Sequence, residues 1–306
     1  MQHTQQLSES IVIGVDLGGT TISAGAVSGS SIITIKKVGT VRTRSADEII
    51  ADMVSLIGSV KGKHTLKAIG IGVPSPAGPG TETFLPASNL PTLDNYPIKA
   101  YISEHFGVPV FLENDANCMT MGEFIAGSLR GVRSGACLTL GTGLGCGFII
   151  EGFLVRGKRY AAGEIWNIPY SNGTILEDTV SIKALKRLAK KHMLSHIEPH
   201  DLFELYHEGN SSAILAWNLY GRAVGRVVTI VMTLLDPERI IIGGGIAGAF
   251  EAFRESMISE VSPVYGEGIA DSIQPAQLSD RAAIIGAAIL AKNITEESEM
   301  KKNDFR

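Results

Sequence analysis

The chain has 306 residues, of which 44% are hydrophobic and 19% are charged, and its formal net charge is −4. This composition is typical of globular proteins, and the negative charge argues against a nucleic-acid partner. No apolar run is long enough to cross a bilayer, and the polar first ten residues lack the pattern of a signal peptide. We therefore expect a cytoplasmic protein with no membrane partner. Its length suggests two domains.

The first half of the chain is predicted to follow the order strand, strand, strand, helix, strand, helix, strand, helix. Ser45 is the expected N-cap of the first helix. The predicted strands are 11–15, 22–27, 31–37, 68–73 and 108–112, and the predicted helices are 46–57, 98–106 and 116–126.

The second half repeats this opening, which indicates an internal duplication. Its predicted strands are 136–140, 146–150, 152–155 and 239–242, and its predicted helices are 179–191, 199–208, 211–234, one from about residue 249, and 281–292. We expect an N-terminal domain over 1–117 and a C-terminal domain over 118–292. The charged residues after Asn293 are expected to fray. Where they form a C-terminal helix, 293–306, we expect that helix to join the first domain. Such a duplication places ligands in the cleft between the copies.

Cysteine usage bears on metal binding and on disulfides. The three cysteines, Cys118, Cys137 and Cys146, form no CxxC pair, and two of them lie in apolar strand patterns. We interpret them as buried, reduced thiols, and we expect no local Cys/His zinc site.

Two glycine-rich turns share one design. Residues 11–21 and 137–150 each contain an apolar strand followed by a turn rich in glycine and threonine. Glycine lets backbone N–H groups approach an anion, and threonine adds hydroxyl donors. The pair therefore predicts two half-sites that close on one polyphosphate. Asp16, at the end of the first strand, is a candidate Mg²⁺ ligand acting through water, and the alternative is an ordinary turn aspartate.

A third glycine cluster, residues 243–248, fits the pattern G-x-G-x-x-G between a strand and a helix. A dinucleotide site would need a second strand ending in Asp or Glu about 20 residues later. The corresponding stretch, 262–268, has the composition of a loop. We therefore favour a glycine-lined wall for adenosine over a Rossmann site.

Two polar clusters supply candidate catalytic and binding groups. Residues 113–117, Glu-Asn-Asp-Ala-Asn, follow a buried strand, where Asp115 could act as general base on a hydroxyl. The alternative role is a helix N-cap, and either Asn114 or Asp115 could cap while the other acts. The second cluster, residues 161–167, places Glu164 after small residues that permit close approach.

Together these motifs resemble the ROK family of bacterial sugar kinases, whose two-domain fold is the actin/hexokinase-like (ribonuclease H-like) α/β fold with duplicated βββαβαβα units. The resemblance covers Ile11 to about Ala291. The segments that carry it are residues 16–20, 113–117, 140–147, Gly152, 156–157, 162–164 and 243–245.

The resemblance implies an ATP- and Mg²⁺-dependent kinase that phosphorylates a hexose hydroxyl, with O6 of glucose or a related hexose as the first expectation. Asp115 is then the catalytic base. The implied sugar ligands are Asn89, Asn114, Glu164, Asn167 and Glu177. The implied nucleotide and phosphate contacts are Asp16 (through Mg²⁺), Gly18, Gly19, Thr20, Thr21, Gly141, Thr142, Gly143, Gly244 and Gly245. A homodimer is also implied.

The chain departs from the family pattern in two places. Most members carry Gly-His where this chain has Trp166-Asn167, and a cysteine-rich zinc segment where it has residues 167–175 without cysteine. Zinc is therefore not expected. Two rival functions are weighed: a sugar-sensing repressor, since the family that the chain resembles includes such proteins, and a non-catalytic sugar-binding protein, which the altered Trp166-Asn167 segment suggests. The repressor is disfavoured because only about ten residues precede the first glycine turn, too few for a helix-turn-helix.

Overall fold

In the computed structural model, residues 10–40, 43–83, 90–171, 173–192 and 194–303 are described. The chain divides into two compact units. The first takes in the described residues of Met1–Gly127, Arg156–Ala161 and Asp280–Arg306, and the second consists of Ser128–Val155 and Ala162–Ser279. The boundary expected at 117/118 thus falls ten residues before this division, inside a helix.

The sheet of the first unit has five strands in the order β3-β2-β1-β4-β5. They are β1 (Ser10–Leu17), β2 (Thr21–Ser28), β3 (Ser31–Gly39), β4 (Thr65–Val73) and β5 (Val110–Asn114). β1 pairs antiparallel with β2 and parallel with β4, and β4 pairs parallel with β5. The central strands β1 and β4 are buried on both faces, which explains their nearly continuous apolar sequence.

The sheet of the second unit repeats this order as β8-β7-β6-β9-β10. Its strands are β6 (Gly135–Leu140), β7 (Leu144–Ile150), β8 (Phe153–Leu154), β9 (Arg239–Gly243) and β10 (Ile273–Pro275). β6 pairs antiparallel with β7 and parallel with β9, which pairs parallel with β10. The predicted duplication and α/β fold are therefore confirmed.

Helices cover both sheets. They are α1 (Ala46–Lys61), α2 (Ile98–Phe106), α3 (Asp115–Ala126), α4 (Glu177–Val180), α5 (Ile182–Lys191), α6 (Pro199–His207), α7 (Ser211–Leu235), α8 (Phe250–Tyr265) and α9 (Arg281–Asn303). Ser45 caps α1 as expected, in a capping box with Glu48. Within the described residues, no helix has the length and apolarity needed to span a membrane.

Three expectations about elements are wrong, and one strand was missed. The tail expected to fray after Asn293 is helical as far as it is described, because α9 continues to Asn303. The helix predicted over 179–191 is broken at Ser181, whose backbone is extended. Strand β10 was not predicted, and the first four residues of the expected loop 262–268 lie in α8. Each stretch is short or polar, so packing rather than local pattern decides its structure.

Each unit has its own apolar core. In the first, α1 and α2 pack on the sheet through residues such as Ile50, Met53 and Ile102. In the second, Trp217, Tyr220 and Phe253 of α7 and α8 are fully buried against β6 and β9. None of the three cysteines forms a disulfide, and all three are buried as predicted. These cores fix the strand ends from which the candidate site residues project.

Candidate functional site

Asp16 and Asp115 lie at the same edge of the first sheet. Because β1, β4 and β5 run parallel, their carboxyl ends meet there, and Asp16 is opposite Gly72, which is opposite Glu113. A Cβ built on Gly72 would lie 3.6 Å from Asp115 Cα. Glycine at position 72 therefore leaves the space between the two aspartates free of a side chain.

Asp16 is held in an unusual electrostatic environment. Burial, reinforced by the nearby carboxylates of Asp115 and Asp280, raises the pKa of Asp16 to about 7. Asp280 directly precedes α9 and was not predicted as a site residue. Its only sequence signal was an acidic residue before a helix. The three acidic side chains give this edge a concentration of negative charge.

This charge fits a divalent cation held mainly through water. Within the described residues, no group of three or more His, Cys, Asp or Glu side chains is arranged to hold a metal directly. Mg²⁺ usually keeps several waters and takes one or two protein carboxylates. Asp16 and its acidic neighbours suit such a cation, because a positive charge there would stabilise their ionised forms.

The first glycine turn joins β1 to β2 beside Asp16. The Gly18 N–H donates to the Thr21 carbonyl oxygen at 3.0 Å, and the Thr40 N–H donates to the Thr20 carbonyl oxygen at 2.7 Å. Thr20 is exposed, whereas Gly18, Gly19 and Thr21 are partly buried. The turn is thus braced by its own backbone and leaves its tip accessible.

Asn114 caps α3, while Asp115 keeps part of its surface exposed. Asn114 Oδ1 accepts the Asn117 N–H at 3.0 Å, and its side-chain amide donates to the Ser75 carbonyl oxygen at 3.4 Å. The Ala116 N–H donates to Asp115 Oδ1 at 2.7 Å. Of the two roles that the sequence left open, the cap therefore belongs to Asn114. Its two polar atoms are already bonded to protein.

Glu113 forms a buried ion pair that sequence reasoning missed. Arg156 Nε donates to Glu113 Oε2 at 2.6 Å, and Asn117 Nδ2 donates to Glu113 Oε1 at 3.0 Å. Burial raises the pKa of Glu113, and the Arg156 charge opposes that rise. In the sequence, Arg156 was singled out only because residues 156–157 resemble the family pattern. No local pattern pairs it with Glu113.

The second glycine turn and the third glycine cluster lie together in the second unit. β6 runs parallel to β9, with Thr139 opposite Gly243. Gly244 has φ of 82°, and a Cβ built on it would lie 2.4 Å from the Leu140 carbonyl oxygen, so only glycine fits. By contrast, a Cβ on Gly141 or Gly245 would meet no atom within 4 Å. The space beside these two glycines is therefore open.

Glu177 lies against the second turn. The Leu144 N–H donates to Glu177 Oε2 at 3.0 Å, and a Cβ built on Gly143 would lie 2.5 Å from the same oxygen. The sequence predicted Glu177 as a sugar ligand only. The structure adds a direct bond to the turn that carries the predicted phosphate contacts Thr142 and Gly143.

Glu164 has the Trp166 indole N–H as its donor. Gly163, with φ of 92°, packs so closely on β7 that a Cβ there would lie 2.1 Å from the Cys146 carbonyl oxygen. The Trp166 Nε1–H donates to Glu164 Oε2. Burial raises the pKa of Glu164, and this hydrogen bond opposes the rise. Asn167 is exposed. The predicted sugar ligand Asn89 lies outside the described residues.

Comparison with known proteins gives consistent matches over nearly the whole chain. The model of the ROK family matches residues 12–294. The chain is 31% identical over 310 aligned positions to the glucokinase of Thermotoga maritima, covering 92% of this chain and 97% of that protein. It is 28% identical over 290 positions to a β-glucoside kinase of Listeria monocytogenes, covering 90% and 95%.

A solved structure of a ROK family protein is also similar to this chain. A ROK family glucokinase from Streptomyces griseus, in complex with glucose and AMPPNP, is similar with a TM-score of 0.80 and 28% sequence identity. The match covers 92% of this chain and 99% of that one.

Proposed function

The chain belongs to the ROK family, and on that premise we propose that it is an ATP-dependent sugar kinase that transfers the γ-phosphoryl group to a hexose hydroxyl. Relatives named glucokinase and β-glucoside kinase, and a similar structure that holds glucose and AMPPNP, support this class of activity. We propose O6 of glucose or a related hexose as the acceptor. We also propose a cytoplasmic homodimer.

The observation that carries the proposal is the position of Asp115. Its partly exposed carboxylate lies beside Asp16, at the sheet edge where the first glycine turn begins. A general base must reach the hydroxyl proton, and a phosphate must be held nearby by backbone donors. The position of Asp115 and of the turn Gly18–Thr21 at one sheet edge of the same unit supports these two roles.

The chain's own residues have distinct tasks in this mechanism. Phosphoryl transfer depends mainly on positioning and charge neutralisation; Mg²⁺, when bound, would neutralise charge on the ATP phosphates, and the protein would position both reactants. Glu164, Glu177, Asn89, Asn114 and Asn167 orient the sugar. Asp115 accepts the hydroxyl proton as the sugar oxygen bonds to the γ-phosphorus and the bond from that phosphorus to ADP, the leaving group, breaks.

The remaining proposed contacts hold the nucleotide. The turn residues Gly18, Gly19, Thr20, Thr21, Gly141, Thr142 and Gly143 contact the phosphates; the N–H groups of Gly18 and Gly141 brace the two turns from within, and the threonines supply hydroxyl donors. Gly244 and Gly245 line the nucleoside, and Asp16 holds Mg²⁺ through water.

A coupled ADP-release assay over a panel of hexoses, with and without Asp115→Asn, tests the proposal. We expect the wild-type chain to turn over at least one hexose. Asp115→Asn should lower kcat by about 10²–10⁴-fold, because the base is lost while sugar affinity stays near the wild-type value.

Asp47→Asn is the matched control, since Asp47 is also an aspartate in the first turn of a helix. It should leave kcat and KM unchanged. Sugar binding without any ADP release would favour the non-catalytic sugar-binding function instead, and near-normal turnover by Asp115→Asn would refute the base assignment.

A further inference from the structure

Two hydrogen bonds tie helices α4 and α5 to the second glycine turn. The Leu144 N–H donates to Glu177 Oε2 at 3.0 Å, at the start of α4. The Ile182 N–H donates to the Gly141 carbonyl oxygen at 2.8 Å, at the start of α5. One bond holds each side of the turn. The turn and the α4–α5 segment are therefore a single hydrogen-bonded structure.

The contact between Glu177 and the turn leaves no spare room. A Cβ on Gly143 would lie 2.5 Å from Glu177 Oε2, closer than atoms in contact can approach. The Gly143 backbone has no positive φ, so glycine serves here to leave space for the carboxylate, which any larger side chain would displace. Within the part of the chain that the structure describes, Glu177 Oε1 accepts no hydrogen bond.

The α4 end of this arrangement is anchored in the core of the second unit. The hydroxyl of Tyr220, a fully buried residue of α7, donates to the Val180 carbonyl oxygen at 2.7 Å. The Ser181 N–H donates to the Glu177 carbonyl oxygen at 3.0 Å. The backbone that carries Glu177 is thus fixed, and the carboxylate transmits that order to the turn.

We propose that Glu177 is a positioning residue for the phosphate-binding turn, and that sugar at its second carboxylate oxygen strengthens nucleotide binding. The inference rests on the proposed function. Oε2 orients the turn through Leu144, and a sugar hydroxyl that donates to Oε1 would hold the carboxylate in that position. Because coupling between two ligands is reciprocal, nucleotide would strengthen sugar binding by the same factor.

Binding of AMPPNP with Mg²⁺, measured by calorimetry with and without glucose, tests this coupling. We expect Glu177→Ala to weaken AMPPNP binding about 10-fold even without sugar, since the lost bond is charge-assisted. It should also abolish the gain that glucose gives the wild type. Glu177→Gln should bind AMPPNP within about threefold of the wild type, because its amide oxygen still accepts the Leu144 N–H.

Asp178→Ala is the matched control. Asp178 is the next residue, and its Oδ2 accepts a backbone N–H from Ile175 at 3.1 Å, outside the turn. It should leave AMPPNP binding unchanged. Wild-type affinity in Glu177→Ala would overturn the inference, since Glu177 would then serve the sugar alone. Tighter binding by Glu177→Gln would also overturn it, because the carboxylate would then oppose the phosphates.

Amide hydrogen exchange at Leu144, followed by NMR without ligands, separates this inference from the proposed function. Exchange should be about 10-fold faster in Glu177→Ala and unchanged in Asp178→Ala. Unchanged exchange in Glu177→Ala would show that Glu177 does not hold the turn. A wild-type chain that releases no ADP with any hexose would overturn the proposed function, whatever the exchange result.

Discussion

The indole N–H of Trp166 donates a hydrogen bond to the carboxylate of Glu164, and an indole nitrogen cannot accept one. This N–H donates to Oε2, and Oε1 is the oxygen farther from this donor that the sugar hydroxyl in our proposal would meet. The sequence identified the Trp166-Asn167 pair as a departure from the family. It could not say that the indole would bond to Glu164, because two residues of separation in a loop do not fix side-chain directions.

We expect Trp166→Phe to make sugar binding more sensitive to acid. Burial already raises the pKa of Glu164, and the indole N–H opposes that rise. Removing the donor raises the pKa further, so the ionised carboxylate, our proposed sugar ligand, is lost at a higher pH as acid is added. The KM for hexose, measured from pH 5 to 8, should therefore begin to rise at a higher pH in the variant.

Tyr170→Phe is the control for Trp166→Phe, since it also changes an aromatic side chain near Glu164 in the sequence. The Tyr170 hydroxyl accepts from Arg226 at 3.0 Å and has no contact with Glu164. Its KM profile should coincide with that of the wild type. Coincident profiles for Trp166→Phe and the wild type would show that the indole has no influence on Glu164.

At the scale of elements, α9 packs on its neighbours backbone to backbone. A Cβ on Gly14 of β1 would lie 1.9 Å from the Ile284 carbonyl oxygen, and one on Gly70 of β4 would lie 2.0 Å from that of Ala287. The same close approach joins α9 to α3 at Gly286, where a Cβ would lie 1.8 Å from the Cys118 carbonyl oxygen. The glycines thus fix α9 against β1 and β4, and Gly286 fixes it against α3, the helix that begins at the candidate base Asp115.

Gly286→Ala should destabilise the protein by roughly 3 kcal/mol or more, because the added methyl group collides with backbone that cannot move aside. Gly58→Ala is the opposite case. Gly58 is exposed in α1, and a Cβ there meets no atom within 4 Å. It should stabilise the protein by about 0.5–1 kcal/mol. Denaturant unfolding measures both, and equal effects would contradict the packing argument.

At the scale of the whole molecule, the chain passes between the two units four times. The short segment Arg156–Ala161 belongs to the first unit although residues of the second unit flank it on both sides. Its anchors are the Arg156–Glu113 ion pair and the Tyr160 hydroxyl, which accepts the Gly80 N–H at 3.2 Å. The ion pair therefore stabilises the chain path as well as the residues beside Asp115.

Arg156→Ala should lower the free energy of unfolding by about 3 kcal/mol at pH 8, because the buried Glu113 carboxylate loses its partner. The pKa of Glu113, already raised by burial, should rise further. A raised folded-state pKa favours folding at low pH and costs stability as pH increases, so the loss should shrink toward pH 5. Unfolding in urea at both pH values measures this.

The double variant Arg156→Ala with Glu113→Gln is the control. The neutral amide removes the unpaired charge while Asn117 can still donate to its oxygen. Its loss of stability relative to the wild type should therefore depend little on pH between 5 and 8, since Asp16, with a pKa of about 7, titrates in both proteins. A loss in Arg156→Ala that is the same at both pH values would show that packing, and not charge, explains it.

The sequence by itself determined the duplicated α/β fold, the position of nearly every strand and helix, and the residue types of the candidate site. It could do so because periodic apolar runs, glycine turns and an N-cap such as Ser45 are local signals. Only the tertiary structure decided which side chains meet: Arg156 with Glu113, Trp166 with Glu164, Glu177 with the second turn, and Asp280 with Asp16. These pairs depend on strand register and on close backbone packing, and no pattern of neighbouring residues encodes either one.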